Sequence, residues 1–198
     1  MCKKILVFLL MLILFAFTLN PALAVWHSRQ DTAHEIAELA RSIGLPEDDP
    51  IIRRAQEIWW EDYYISQLPI RQADVEALAK TMWGEAGAID SKMEQAAVAW
   101  CILNRVDAEG FGNTIISVIT APNQFLGYKA SFPVKPELEE LARDVLIRWY
   151  REKNGETDVG RVLPKDYCWF WGDGKHNHFR NKYVTSERWD WSLPDPYK

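Results

Sequence analysis

The sequence predicts a mostly helical α+β protein, with helices packed round one buried helix and a small β-hairpin near the C-terminus. Three observations carry this. Apolar residues recur at helical spacing through most of the chain. One stretch, Ala96 to Leu103, is apolar all round, as a helix buried on every side would be. Beyond Cys168 the period shortens to two on either side of Asp173-Gly174, a hairpin turn signal.

Taken in order, Thr32 to Ile43 carries Ile36, Leu39, Ala40 and Ile43 at helical spacing, and Gly44 stops it. Asp49-Pro50 reads as a cap followed by proline at the first helical position, opening a helix with Ile51, Ala55, Ile58 and Trp59 on one side. Ile65 to Arg71 reads as a link. Ala73 to Met82 is the third helix, with Val75, Leu78 and Met82 inward. Ser91-Lys92-Met93-Glu94 has capping-box form, with Glu94 as the reciprocal cap, and opens the all-apolar helix. Ile115 to Thr120 is a short helix stopped by Pro122, and Pro136 to Lys153 is a long amphipathic one with Leu138, Leu141, Val145 and Trp149 in register. In the tail, Cys168 and Phe170 alternate with Trp169 and Trp171. After the turn, His176, His178 and Arg180 alternate with Asn177 and Phe179.

The first two dozen residues read as an address. Lys3 and Lys4 precede an apolar run from Ile5 to Leu19, and Ala22-Leu23-Ala24 is a small-residue exit. That order predicts a signal peptide over 1–24, cleaved after Ala24, and a secreted or cell-envelope location. An uncleaved membrane anchor is the alternative, although the run is shorter than the roughly 20 residues a spanning helix needs. A helical leader over 25–71 and a functional domain over 72–198 follow. The net charge of -5 and the lack of a basic block argue against a nucleic-acid partner. Cys101 and Cys168 remain after cleavage. An exported pair can form a disulfide, but both lie in core-like stretches and read equally as buried thiols.

Glu85 stands out for its position. In Met82-Trp83-Gly84-Glu85-Ala86-Gly87 it falls where the third helix ends, beside partial negative charge, with Trp83 and an apolar helix to strip water from it. Both effects disfavour the ionised carboxylate. A protonated carboxyl is what cleavage of a glycosidic bond needs, because the leaving oxygen must gain a proton. The flanking glycines read as room for a polymer to approach. A solvated glutamate beside a helix stop would look the same.

Ala77 to Val106 resembles the core of the spore-cortex-lytic type of cell-wall hydrolase. The resemblance lies in Gly84-Glu85-Ala86, in Gln95 near the start of a small-residue helix, and in Asn104-Arg105-Val106 at its close. "ITAPNQF", Ile119 to Phe125, and "WGDGKHNHF", Trp171 to Phe179, are similar to later segments of that family. The resemblance spans about Asp74 to Tyr183. Where the family has arginine after its G-E-A, this chain has Gly87.

The resemblance implies a lysozyme-like fold and cleavage between N-acetylmuramic acid and N-acetylglucosamine in peptidoglycan glycan strands. It further implies lytic transglycosylation, with Glu85 as acid and then base. A water-using muramidase would need a second carboxylate, for which Asp90 and Glu94 are the neighbours in sequence. A wall-binding or accessory protein that has lost catalysis is the remaining alternative. Trp83, Gln95, Gln124, Phe125, Trp171 and His178 are the expected substrate-binding residues, the tryptophans by stacking on sugar faces and His178 by hydrogen bonding. His176, His178, Asp173 and Cys168 lie close in sequence but lack the spacing of a zinc site, so neither metal nor cofactor is expected. A membrane partner is expected only if the signal stays uncleaved, and the oligomeric state is left open.

Overall fold

A computed structural model describes residues 26–184 and 188–198, together with Val7 and Met11. The signal peptide over 1–24 and its cleavage point at Ala24 otherwise lie outside the described residues. Among these residues no helix is long and apolar enough to cross a membrane. The chain divides into two compact units, Met1–Leu68 and Pro69–Lys198.

The first unit is a helix pair, α1 (Trp26–Ser42) and α2 (Pro50–Ser66). Ala33, Ile36, Ala37 and Ala40 of α1 pack on Ile51, Ile52, Ala55 and Ile58 of α2. Three of the four α1 positions are alanine, which brings the two backbones close. Leu39, expected inward, is exposed. Gly44 ends α1 at φ +76°, and the Asp49 carboxylate caps α2 by accepting the Ile51 N–H at 2.9 Å. The second helix runs to Ser66, so the link is shorter than its sequence suggests. Asp62 is buried 3.6 Å from Arg29 Nε, and burial pushes its carboxyl above the usual carboxylate range.

The second unit is built from α3 (Gln72–Ala86), α4 (Lys92–Asp107), α5 (Ile115–Ile119), α6 (Pro136–Lys153), β1 (Trp169–Gly172) and β2 (Asn177–Arg180). It is mostly α with one small antiparallel hairpin, as expected. Every residue from Ala96 to Arg105 is buried, and α3, α5 and α6 all pack on α4. Trp100, Ile102 and Leu103 are fully enclosed. Burying each such side chain stabilises the fold by about 1.5–3 kcal/mol. Val75, Leu78 and Met82 face this core from α3, and Leu138, Leu141, Val145 and Trp149 face it from α6.

Two polar residues inside the core act as clamps, and they belong to the Asn104-Arg105-Val106 group. Asn104 Nδ2 donates to the carbonyls of Pro164 and Tyr167, and its Oδ1 accepts from Arg161 Nη1 at 2.9 Å. Arg105 Nε donates to the Cys168 carbonyl at 2.6 Å, its Nη1 donates to Gln124 Oε1, and its guanidinium lies 4.8 Å from the Phe125 ring centroid. The end of α4 thereby fastens both the loop after α5 and the entry to β1. Unpaired, these buried groups would each cost about 1–3 kcal/mol or more. Here each is paired, to the segment 161–168 or to Gln124.

The hairpin pairs Trp169 with Arg180, Phe170 with Phe179, Trp171 with His178, and Gly172 with Asn177. Asn177 and Phe179 point inward and His178 and Arg180 are half-buried, so the alternation read from sequence holds. Cys101 and Cys168 are both free and buried.

Candidate active site

The third helix does not end at Met82. It continues through Gly84 and Glu85 to Ala86, although glycine in a helix costs about 1 kcal/mol relative to alanine. The reason is a close backbone approach. A Cβ on Gly84 would sit 1.9 Å from the carbonyl oxygen of Gly127, and a Cβ on Gly127 would sit 2.4 Å from the carbonyl oxygen of Gly84. Two glycines meeting face to face let the 120s loop lie directly on the last turn of α3. There the Gly127 N–H donates to Glu85 Oε1 at 2.8 Å. The glycine was expected to admit a polymer, but Gly84 admits a second stretch of the protein's own backbone.

That loop is held in an uncommon shape. Asn123 and Phe125 both have positive φ, at 60° and 44°, conformations that cost non-glycine residues about 1–3 kcal/mol each. The Gln124–Arg105 bond, the Arg105–Phe125 contact and Phe125 packing 5.9 Å from Phe170 offset that strain. Lys80 Nζ reaches from α3 to the Ala130 carbonyl at 2.9 Å, pinning the far side of the loop.

Glu85 opens into a cleft of about 570 Å³ formed by residues 83–89, Phe132, Gly172 and residues 174–177. Glu85 is the one carboxylate among the residues lining it. With Oε1 held by Gly127, Oε2 has no hydrogen bond among the described residues. Trp83 forms one wall, with Lys135 Nζ 4.7 Å from its ring centroid. Gly87 makes room for that ring, since a Cβ there would lie 2.6 Å from Trp83 Cε3.

The hairpin turn forms the opposite wall. Asp173 Oδ1 accepts the N–H groups of Lys175 and His176 at 2.8 Å, and its Oδ2 lies 2.7 Å from His178 Nε2. These bonds, the His178 one foremost, hold the Asp173 carboxyl below the usual carboxylate range. Asn177 is buried and ties the turn to the helix, its Nδ2 donating to the Glu85 carbonyl at 3.0 Å.

The expected substrate residues separate into two groups. Trp83 and Glu85 line the cleft; Gln95, Gln124, Phe125, Trp171 and His178 do not. Gln95 Nε2 donates to the Ile89 carbonyl at 2.9 Å and shapes the loop before α4. Gln124 and Phe125 are in the loop that delivers Gly127, where one is bonded to Arg105 and the other is buried core; the expectation that Phe125 floors the cleft is corrected accordingly. Trp171 packs at a tilt against His178, ring centroids 4.7 Å apart, and has Arg180 and Arg188 over its ring at 4.5 and 4.6 Å. His178 is paired with Asp173.

Glu94 is a second correction. Ser91 does cap α4, accepting the Glu94 N–H at 3.3 Å. The Glu94 carboxylate is not the reciprocal cap. It is buried beneath the hairpin, where Oε1 accepts the Asn177 N–H and Oε2 lies 3.2 Å from His176 Nδ1. The complete capping box is at Thr114 and Ser117, opening α5. Asp90 is exposed and does not line the cleft. Asn177, Gly127 and Phe132 were not singled out as site residues from sequence, and His176 was weighed there only within the group of His178, Asp173 and Cys168. Of the first three, Asn177 alone left a trace, as a polar residue on the inward phase of β2.

An open cleft with aromatic walls and one acidic side chain, held on one oxygen and open on the other, suits an acid-catalysing enzyme with an extended substrate. Residues 90–195, just over half the chain, match the Cell Wall Hydrolase family, and the chain belongs to that family. It is a wall-degrading, peptidoglycan-acting hydrolase. The match starts at Asp90, so Glu85 and its glycines lie just ahead of it, whereas Gln95, Gln124, Phe125, Trp171 and His178 lie inside. No curated protein and no solved structure matches the chain.

Proposed function

We propose that the protein is an exported lytic transglycosylase that breaks the bond between N-acetylmuramic acid and N-acetylglucosamine, with Glu85 as acid and then base. The observation that carries this is the single carboxylate of the cleft. Retaining and inverting hydrolysis both require a second carboxylate, at about 5–5.5 Å or 6.5–9.5 Å from the first. Glu94 is a poor partner because both its oxygens are engaged and buried, and Asp90 is a poor one because it is outside the cleft.

The chemistry then needs one group. Gly127 holds Oε1, so the proton is delivered from Oε2 to the glycosidic oxygen as the C1–O bond breaks. The resulting carboxylate takes the proton of the muramic C6 hydroxyl, and O6 closes onto C1. The products are a free 4-hydroxyl on the leaving sugar and a 1,6-anhydro end. Trp83 and Phe132 offer rings on which the apolar faces of sugars can stack. Mass spectrometry of digested, purified peptidoglycan tests the proposal. Anhydro ends lighter than reducing ends by one water are expected. Reducing-end muramic acid alone would instead support a muramidase in which water replaces the C6 hydroxyl.

A further inference from the structure

Glu94 is a buried carboxylate with no part in the proposed chemistry. Its side chain is 7% exposed and carries two bonds, both to the hairpin turn. One receives the Asn177 N–H, and the Asn177 side chain in turn holds the Glu85 carbonyl. The other meets Nδ1 of His176, whose side chain is 65% exposed and forms part of the cleft wall opposite Trp83. A carboxylate has only acceptors to offer, so the proton between them belongs to Nδ1. In the neutral ring Nε2 is then a lone-pair acceptor. Among the described residues Nε2 has no partner.

We infer that Glu94 is a positioning residue that fixes the His176 imidazole with Nε2 as an acceptor, and that His176 binds a hydroxyl or acetamido N–H of the glycan in the cleft. The ligand chemistry follows from the site. An N-acetylated glycan carries many O–H and N–H donors, whereas on the same wall the exposed Lys175 can only donate and the Asn177 side chain is buried. An acceptor of fixed direction on the hairpin side complements stacking on the Trp83 side, and together they would set how a strand lies across Glu85. A free surface histidine would not need a buried carboxylate beneath it, and burying one without need is costly.

The inference rests on the glycan-cleaving reading, yet the two fail separately. Full activity of Glu85→Gln would remove the catalytic reading. The His176 inference is tested by KM and kcat on soluble glycan strands, using Glu94→Gln, His176→Ala and the double variant. A glutamine oxygen can still accept the Asn177 N–H, but its amide presents donors to Nδ1. That moves the ring proton to Nε2 and turns the acceptor into a donor. Each single variant is expected to raise KM about three- to tenfold, the worth of one hydrogen bond, with kcat within about twofold. The double variant should be no worse than the worse single one, because both act on one contact. Unchanged KM in His176→Ala would overturn the inference, and that variant removes an exposed side chain, so misfolding would not obscure the result. Additive losses would overturn it too, since Glu94 would then act without His176.

Discussion

Gly84→Ala adds one methyl group to the last turn of α3, where the Cβ would fall 1.9 Å from the Gly127 oxygen and 2.4 Å from its carbonyl carbon. Real contacts of this kind stay beyond 3.0 Å, so the loop must retreat by at least 1.1 Å, the difference between 3.0 and 1.9. If Gly127 N moves by that much along its bond, its 2.8 Å distance to Glu85 Oε1 becomes about 3.9 Å, too long for a hydrogen bond. Alanine repays about 1 kcal/mol of helix propensity. Against this stand about 1.5–3 kcal/mol for the lost charge-assisted bond and about 1–3 kcal/mol of overpacking. The net loss in stability is about 1.5–5 kcal/mol, and a chain that still folds would have a loose catalytic carboxylate. Misplacement by about 1 Å can cost on the order of 100-fold in rate. The assay pairs urea unfolding with turbidity loss of purified peptidoglycan, at a temperature where both proteins are folded. A folded Gly84→Ala protein with wild-type turnover would refute the idea that the two glycines set Glu85.

Other expectations follow from the same geometry. Glu85→Gln should lower turbidity-clearing activity by about 10²–10⁴-fold, and Asp90→Asn should leave it nearly intact; an equally inactive Asp90→Asn would restore a two-carboxylate mechanism. Arg105→Met should destabilise the fold by about 3–6 kcal/mol in urea titration and loosen the Gly127 loop, because Gln124 and the Cys168 carbonyl each lose a hydrogen bond to a buried charged group, worth about 1.5–3 kcal/mol apiece. Burial pushes the Cys101 thiol up to about 12 from an ordinary 9.0, and raises Cys168 as well. The unfolded chain therefore loses these protons first. The stability they confer is complete below about pH 9 and is lost as pH rises towards 12. Cys101→Ala should flatten that alkaline decline, and a thiol reagent at pH 8 should label neither cysteine until denaturant is added. The intact mass of exported protein should correspond to a chain starting at Val25; a mass that includes Met1 would point to an uncleaved anchor.

Much of the scaffold was legible because it is local. Pro136 to Lys153 is bounded by a proline at its start and apolar spacing along its length, and the helix has those limits. The all-apolar stretch after Ser91 had to be buried, and is. Glu85 could be chosen from its neighbours in the chain. The rest of the site depends on contacts across long separations. Glu94 has the sequence position of a cap, yet its partners are residues 176 and 177. Gly84 looks like a helix stop until Gly127 is placed against it. Gln124 and Phe125 were expected to line the cleft, but their side chains shape the loop, and the backbone of Gly127 makes the contact with Glu85. Nothing in the order of residues distinguishes His176 from His178. The hairpin register does, by leaving His176 in the turn and pairing His178 with Trp171.

Asn177 closes the site, and it comes late in the chain. The helix that carries Glu85 is complete by Ala86 and its supporting loop by Phe132, but the opposite wall waits for the hairpin. On the proposed export route, a chain with residue 177 still on the near side of the membrane would have its glutamate outside but no assembled cleft. The order of synthesis would then act as a safety catch. A wall-cleaving enzyme built this way would be inert until nearly its whole length had been released.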